Sequence, residues 1–134
     1  MVDIDRFTAV RDEHGQDIAD DLLRAVAARL RAVAREQDTV ARLENDQFAI
    51  VLEEVFDNDD LQRVSNAVET AFVEEFRIGE TTLQVTATLG ATIYPDGGLN
   101  AGALINQATK LMRRAKRARR QNAPTNPSDG IAAA

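Results

Sequence analysis

The sequence predicts an α+β fold of the ferredoxin-like type: a central, mostly antiparallel sheet flanked by helices. Three observations carry that prediction. Asp17–Glu36 and Leu61–Phe76 repeat apolar residues every three or four positions, the period of a helix with one buried face. Leu83–Ile93 alternates apolar and polar residues without a break, the period of a half-buried strand. Between the two helical segments lie two short strand-like runs close enough in sequence to pair as a hairpin.

Taken in order, Met1–Asp5 reads as the end of a strand. The first helix follows over Asp17–Glu36, with Ile18, Leu22, Leu23, Val26, Leu30 and Val33 on one face. Thr39–Leu43 and Phe48–Leu52 are the hairpin strands. Asn45 and Asp46 in the connection tolerate left-handed backbone angles and so suit a tight turn. Asn58, Asp59 and Asp60 offer side-chain caps to the second helix, whose apolar face is Leu61, Val64, Val68, Phe72 and Phe76. After Gly79 comes the alternating strand, ended by the turn residues Pro95-Asp96-Gly97-Gly98. A last helix runs from about Asn100 to Arg119, with Leu104, Ile105, Ala108, Leu111, Met112 and Ala115 inward. The expected order is β-α-β-β-α-β-α, with the helices covering one face of the sheet.

At 134 residues and 44% apolar composition the chain supports one ordinary core. With no cysteine and His14 as the only histidine, there is no disulfide framework, thiolate metal site, cysteine nucleophile or His-based triad. The net charge of −6 argues against general nucleic-acid binding. Seven of the 16 basic residues nevertheless fall within Lys110–Arg120, where there is no acid, so one end of the last helix offers a local anion site. No apolar run is long enough for membrane insertion, and MVDIDRF lacks the basic and apolar stretches of a signal peptide, so a cytoplasmic location is expected.

Several short motifs fall in a recognisable order. Asp3-Ile4-Asp5-Arg6-Phe7 is a D-x-D-x-F at a strand end, and Arg11-Asp12, Gly15-Gln16 and Ala19-Asp20 follow it. Ala41-Arg42-Leu43 precedes the hairpin Glu44-Asn45-Asp46-Gln47-Phe48. Val85–Gly90 with Tyr94-Pro95-Asp96-Gly97, and Ala115-Lys116 with Arg120-Gln121-Asn122, close the series. Together, over about residues 2–122, this pattern resembles the GGDEF domain of diguanylate cyclases, with Glu44–Phe48 at the position of the signature itself.

The resemblance implies a GGDEF-type fold and a divalent-metal chemistry in which two facing domains, each holding one GTP, form cyclic di-GMP. It assigns Mg²⁺ to Asp3 and Asp46. It assigns phosphate binding to Lys116 and Arg120, four apart on one helix face. Asp20 stands at a guanine-reading position. Arg35 and Asp38 form an R-x-x-D five residues before the signature, the offset of the family's inhibitory cyclic di-GMP site. Without the resemblance, Asp3 and Asp5 are solvated strand-end residues and Glu44–Gln47 an exposed hairpin. Arg35–Asp38 is then a helix-end ion pair, and Arg113–Arg120 a solvated basic face.

Departures from the pattern shape the functional expectation. Glu44 and Asn45 replace the signature glycines that let a nucleotide approach bare backbone, and Gln47 replaces a carboxylate. Thr8, Arg11, Gln16 and Arg113 also differ from the usual residues. The expectation is therefore a degenerate domain, not an enzyme, acting as a regulatory or scaffolding module in bacterial cyclic di-GMP signalling. The alternatives are a cyclic di-GMP receptor using Arg35 and Asp38, or a weakly active cyclase. Residues 1–120 are read as the domain, shorter at its front than is usual, and 121–134 as a linker or disordered tail. The expected setting is a longer GGDEF–EAL protein of the kind that governs type IV pili. The expected partners are its own EAL or sensory domains, a second copy in a homodimer, and GTP or cyclic di-GMP.

Overall fold

β1 (Val2–Ile4) is the strand on which the architecture is built, and all three of its residues are buried. Successive residues of a strand point to opposite faces, so burial of all three means that both faces of the sheet are covered. The computed structural model describes residues 1–121. In chain order the elements are β1, α1 (Phe7–His14), α2 (Gln16–Val33), β2 (Thr39–Arg42), β3 (Gln47–Val51), α3 (Asn58–Ala71), β4 (Phe76–Ile78), β5 (Thr81–Leu83), β6 (Ala87–Leu89) and α4 (Ala101–Gln121). The main sheet has the order β2-β3-β1-β6, and every pairing in it is antiparallel. β4 and β5 form a separate antiparallel hairpin around Gly79.

One sheet face packs on α2. Leu22, Leu23, Val26 and Leu30 recur at helical spacing and join Val2, Ile4 and Phe48 in one core. The opposite face, which carries Asp3 and its cross-strand neighbours Gln47 and Thr88, looks toward α4. α4 lies directly on the strand end at Gly90. A Cβ added there would sit 2.1 Å from the Ala108 carbonyl oxygen and 2.3 Å from the Met112 nitrogen, so only glycine permits that approach.

The α+β class and the antiparallel sheet agree with the sequence reading, and four details differ. Helices flank two faces, not one, because the hydrophilic side of β1 is buried under α4. A separate helix, α1, follows β1. The chain leaves β1 through Arg6 in a left-handed conformation (φ 57°), and Gly15 (φ 92°) breaks α1 from α2. The cap of α3 is Asp57, whose side chain accepts from the Asp60 amide at 2.8 Å. Finally, the alternating run Leu83–Ile93 is not one strand. Its first residue closes the β4–β5 hairpin and only Ala87–Leu89 joins the main sheet. Periodicity located the buried side chains correctly (Leu83, Val85 and Ala87 are all buried) but could not show that they serve two sheets.

α3 ends at Ala71, earlier than the apolar periodicity predicts. Phe76 then belongs to β4, where its ring packs 5.7 Å from that of Phe72. Arg29 of α2 holds this corner, donating to the carbonyls of Ala71, Glu74 and Glu75 with its guanidinium 3.5 Å over the Phe76 ring. Among the described residues no helix is long and apolar enough to cross a membrane. α4 runs to Gln121; the expected linker or tail beyond it lies outside the described residues.

Candidate functional site

The sheet brings the two ends of the sequence together. β1 is central, so Asp3 and Asp5 sit between β3, which leads from the 44–47 hairpin, and β6, which α4 covers. Asp3 pairs with Gln47 across one strand junction and with Thr88 across the other. The Ile4 amide donates to the Asp46 carbonyl at 3.2 Å, which ties the hairpin turn to β1. Asp3, Asp46 and Lys116, from three separate elements, thus form one cluster.

Its electrostatics are unbalanced. Asp3 is buried, and Lys116 Nζ lies 2.8 Å from its Oδ1. Lys116 is the one group that meets this oxygen, which receives no other donor among the described residues. Burial, then the adjacent Asp3 carboxylate, pushes the Asp46 carboxyl up to about 6 against the opposing pull of Lys116. Two carboxyls in reach of each other share a single ammonium, which leaves the cluster with more negative charge than Lys116 offsets. This donor set fits a magnesium ion, which takes one or two carboxylates and completes its shell with water and substrate phosphates. Among the described residues no group of three or more acids, histidines or cysteines gathers as an all-protein cage.

The hairpin keeps its turn despite the residues it carries. The Gln47 amide donates to the Glu44 carbonyl at 2.7 Å and Arg42 Nε to the Asn45 carbonyl at 3.1 Å. Asn45 itself adopts a left-handed backbone (φ 43°), the conformation a glycine would supply. Glu44 and Asn45 are both exposed. Glu44 is therefore screened by water, and its repulsion of a phosphate is the small cost of a solvated charge rather than the large one of a desolvated charge.

The remaining candidates are placed less centrally. Asp20, half-buried on α2, accepts from Gln16 Nε2 at 2.7 Å. The Arg11 guanidinium lies 5.8 Å over the Phe7 ring. Arg120 is exposed near the end of α4, with no ion pair among the described residues. Arg35 and Asp38 do meet, Nε to Oδ2 at 3.2 Å, yet the Asp38 side chain is only 2% exposed. Its oxygens also accept from the amides of Arg35 (2.9 Å) and Glu53 (3.0 Å), while Arg35 donates to the Glu53 carbonyl. Burial alone would raise the Asp38 carboxyl; the hydrogen bonds and charge of Arg35, with the Glu53 amide, outweigh it and hold the group below its ordinary value.

Sequence reasoning gave no role to two residues of the cluster. Asp5 accepts from Thr86 Oγ1 at 2.6 Å and Thr88 Oγ1 at 2.5 Å, and Arg119 Nη1 lies 2.5 Å from its Oδ2. The available signal was the three-residue step from Lys116 to Arg119, which puts both on one helix face. A larger cavity of about 390 Å³ lies between α3 and α4 on the Met1 side of β1. Its lining is mainly apolar, includes Val64, Leu104 and Ile105, and contains none of the carboxylates or phosphate handles.

The family described as "Diguanylate cyclase, GGDEF domain" matches residues 1–122. The chain is 31% identical over 123 residues to the cyclic di-GMP phosphodiesterase NbdA of Pseudomonas aeruginosa, covering 92% of this chain and 16% of the relative. It is 32% identical over 118 residues to the diguanylate cyclase TpbB of the same species, covering 87% and 27%. The chain thus spans less than a third of either relative. Among solved structures, the GGDEF domain of TpbB (YfiN) superposes with a TM-score of 0.83 at 32% identity, covering 87% of this chain and 69% of that one. An EAL/GGDEF domain protein from M. capsulatus gives 0.81 at 30%, covering 87% and 76%. These findings correct the expectation that the chain is not an enzyme. Relatives 32% identical are named diguanylate cyclases, and the hairpin substitutions behind that expectation neither collapse the turn nor bury a charge.

Proposed function

The chain belongs to the diguanylate cyclase GGDEF family, and from that premise we propose that it binds GTP with a divalent cation and forms one half of a diguanylate cyclase site within a longer cyclic di-GMP signalling protein. The single observation that carries this reading is the Asp3–Asp46 carboxyl pair beneath Lys116, the one ammonium that meets the buried Asp3 oxygen. The names of the relatives support the setting: a cyclic di-GMP phosphodiesterase, a diguanylate cyclase and an EAL/GGDEF protein, two of them much longer than this chain.

When bound, magnesium would neutralise the triphosphate and favour attack of a 3′-hydroxyl on an α-phosphate, with pyrophosphate as the leaving group. Asp3 and Asp46 would hold it. Lys116, released from Asp3, places its ammonium on the phosphates, and Arg120 adds a second cation from the exposed end of α4. Asp20 accepts from the guanine N1–H and N2–H edge. Gln47, beside Asp3 on the neighbouring strand, offers an amide where a third carboxylate would add charge. A second copy must face this one, because each domain supplies one nucleotide, so the active form is a homodimer working where GTP is available, in the cytoplasm.

Incubation with GTP and Mg²⁺ followed by chromatography tests the reading. It expects cyclic di-GMP from the wild-type chain and none from Asp46→Ala. Absence of both product and Mg²⁺-dependent GTP binding by calorimetry sinks it. Arg35 and Asp38 support a second ligand reading, a cyclic di-GMP site. The observation in its favour is the Arg35 guanidinium, about half exposed and held at a fixed angle by Asp38.

A further inference from the structure

The two aspartates of D-I-D are held to different degrees. The buried Oδ1 of Asp3 meets one group, the Lys116 ammonium at 2.8 Å. Asp5, with its side chain 16% exposed, has both oxygens satisfied: Oδ1 by Thr88 and Oδ2 by Thr86 and Arg119. Arg119 Nη1 also donates to the Ala87 carbonyl at 2.8 Å and to Thr88 Oγ1 at 3.0 Å. One guanidinium of α4 is thereby tied to a carboxylate, a backbone carbonyl and a hydroxyl of the β1–β6 junction. Lys116, one turn earlier, makes a single close contact, 2.8 Å to Asp3, and stands 4.0 Å from Asp5.

We propose that Arg119 and Asp5 are a positioning pair that clamps α4 to the sheet, so that Lys116 can exchange Asp3 for a nucleotide phosphate without the helix moving. The inference rests on the nucleotide-binding reading above. Its logic is a division of labour. The group that must let go, Lys116, makes one close contact. The group that must hold, Arg119, makes three on a helix face shared with Lys116. Asp5 cannot turn toward a cation without giving up three donors, which leaves the cation to Asp3 and Asp46. A solvated ion pair of the same length would contribute little. Here the carboxylate is largely buried and two threonines fix its orientation.

The test uses Arg119→Ala, Arg119→Lys and Asp5→Asn in the whole chain. Calorimetry is run with Mg²⁺ alone and with Mg²⁺·GTP, and thermal melting is followed without ligand. The proposal expects Arg119→Ala to weaken Mg²⁺·GTP binding about tenfold or more. Mg²⁺ alone, held by Asp3 and Asp46, binds within about twofold of wild type. Arg119→Lys keeps the charge but satisfies fewer acceptors and lands between wild type and alanine; it also serves if Arg119→Ala does not fold. The Asp5→Asn and Arg119→Ala effects are expected to be non-additive when combined. Variants that melt earlier yet bind Mg²⁺·GTP as wild type does would overturn the proposal and leave the nucleotide reading standing. A wild-type chain that takes no Mg²⁺·GTP removes the nucleotide reading, and the proposal with it.

Discussion

Asp3 on β1 and Lys116 on α4 approach to 2.8 Å, a single ammonium–carboxylate contact with no second donor on that oxygen. A lysine in that position neutralises the carboxylate while the cation and nucleotide are absent, and it is easily displaced. Lys116→Ala removes the only ammonium of the cluster and the phosphate handle together. GTP affinity is expected to fall at least about tenfold by calorimetry. Undiminished affinity would mean that the phosphates lie elsewhere.

Asp46→Asn separates the carboxyl's electrostatic cost from its use. The folded-state pKa of about 6 lies above the unfolded value of 3.8. At about pH 3 and below the carboxyl is largely protonated in both states and contributes nothing. As pH rises through 6 the folded protein must ionise it beside Asp3, whereas the unfolded chain has already done so, and stability is lost. Discounted for partial exposure, the loss at pH 7.5 is about 1 kcal/mol, or about 4 °C. The asparagine variant should therefore melt higher than wild type at pH 7.5, match it at about pH 3, and lose any Mg²⁺-dependent rise in Tm. A variant that melts lower at pH 7.5 contradicts this account.

The helical face of α2 was legible because burial imposes a period that propensity does not hide, as Leu22, Val26 and Leu30 show; on α4 Ala108 and Met112 are buried as expected, whereas Ile105, expected inward, is exposed. Asp3, Asp46 and Lys116 were legible only through motif order. Nothing local in the sequence says that β1 lies between β3 and β6, and that placement is what brings the three together. The role of Asp5 was hidden for the same reason. Its donors, Thr86 and Thr88, lie on a strand more than eighty positions away. The separate helix α1 was missed because Phe7 is its only buried residue, and one residue makes no period. At the hairpin, residue identity was a sound guide to backbone shape: Asn45, expected to tolerate a left-handed angle, holds one.

Asp38→Asn probes the loop between α2 and β2. The Asp38 carboxyl is held below its ordinary value in the folded protein. Its contribution is therefore fully present above the unfolded value of 3.8 and is lost as pH falls below it toward the folded value. The variant is expected to melt about 4 °C lower than wild type at pH 7, with the gap closing below about pH 4. Thermal melts across that range check it. A gap that persists at pH 2.5 would point to packing rather than charge.

Gly90→Ala tests the seat of α4. The added carbon meets backbone atoms of Ala108 and Met112 at 2.1 and 2.3 Å, neither of which can rotate aside. The helix must shift, at a cost of about 3 kcal/mol in chemical denaturation. Because Lys116 and Arg119 ride on the same helix, GTP affinity is expected to fall with stability. Unchanged stability would show that α4 is not held where the structure puts it.

The hairpin substitutions can be reversed to measure what they cost. Glu44 is exposed, so its repulsion of a phosphate charge a few ångströms away is about 1 kcal/mol in water, not the several it would be in a dry site. Asn45 already occupies the left-handed region at φ 43°, so glycine there relieves little strain and adds unfolded-state entropy. Glu44→Gly combined with Asn45→Gly is therefore expected to leave stability within about 0.5 kcal/mol of wild type while raising GTP affinity about fivefold. The gain should shrink at high salt, because a solvated charge is screened. A gain of a thousandfold would show that bare main chain is needed against the nucleotide, as the signature glycines suggest. A gain of about fivefold that salt removes would show that Asp3, Asp46 and Lys116, not the two glycine positions, set the affinity of this site.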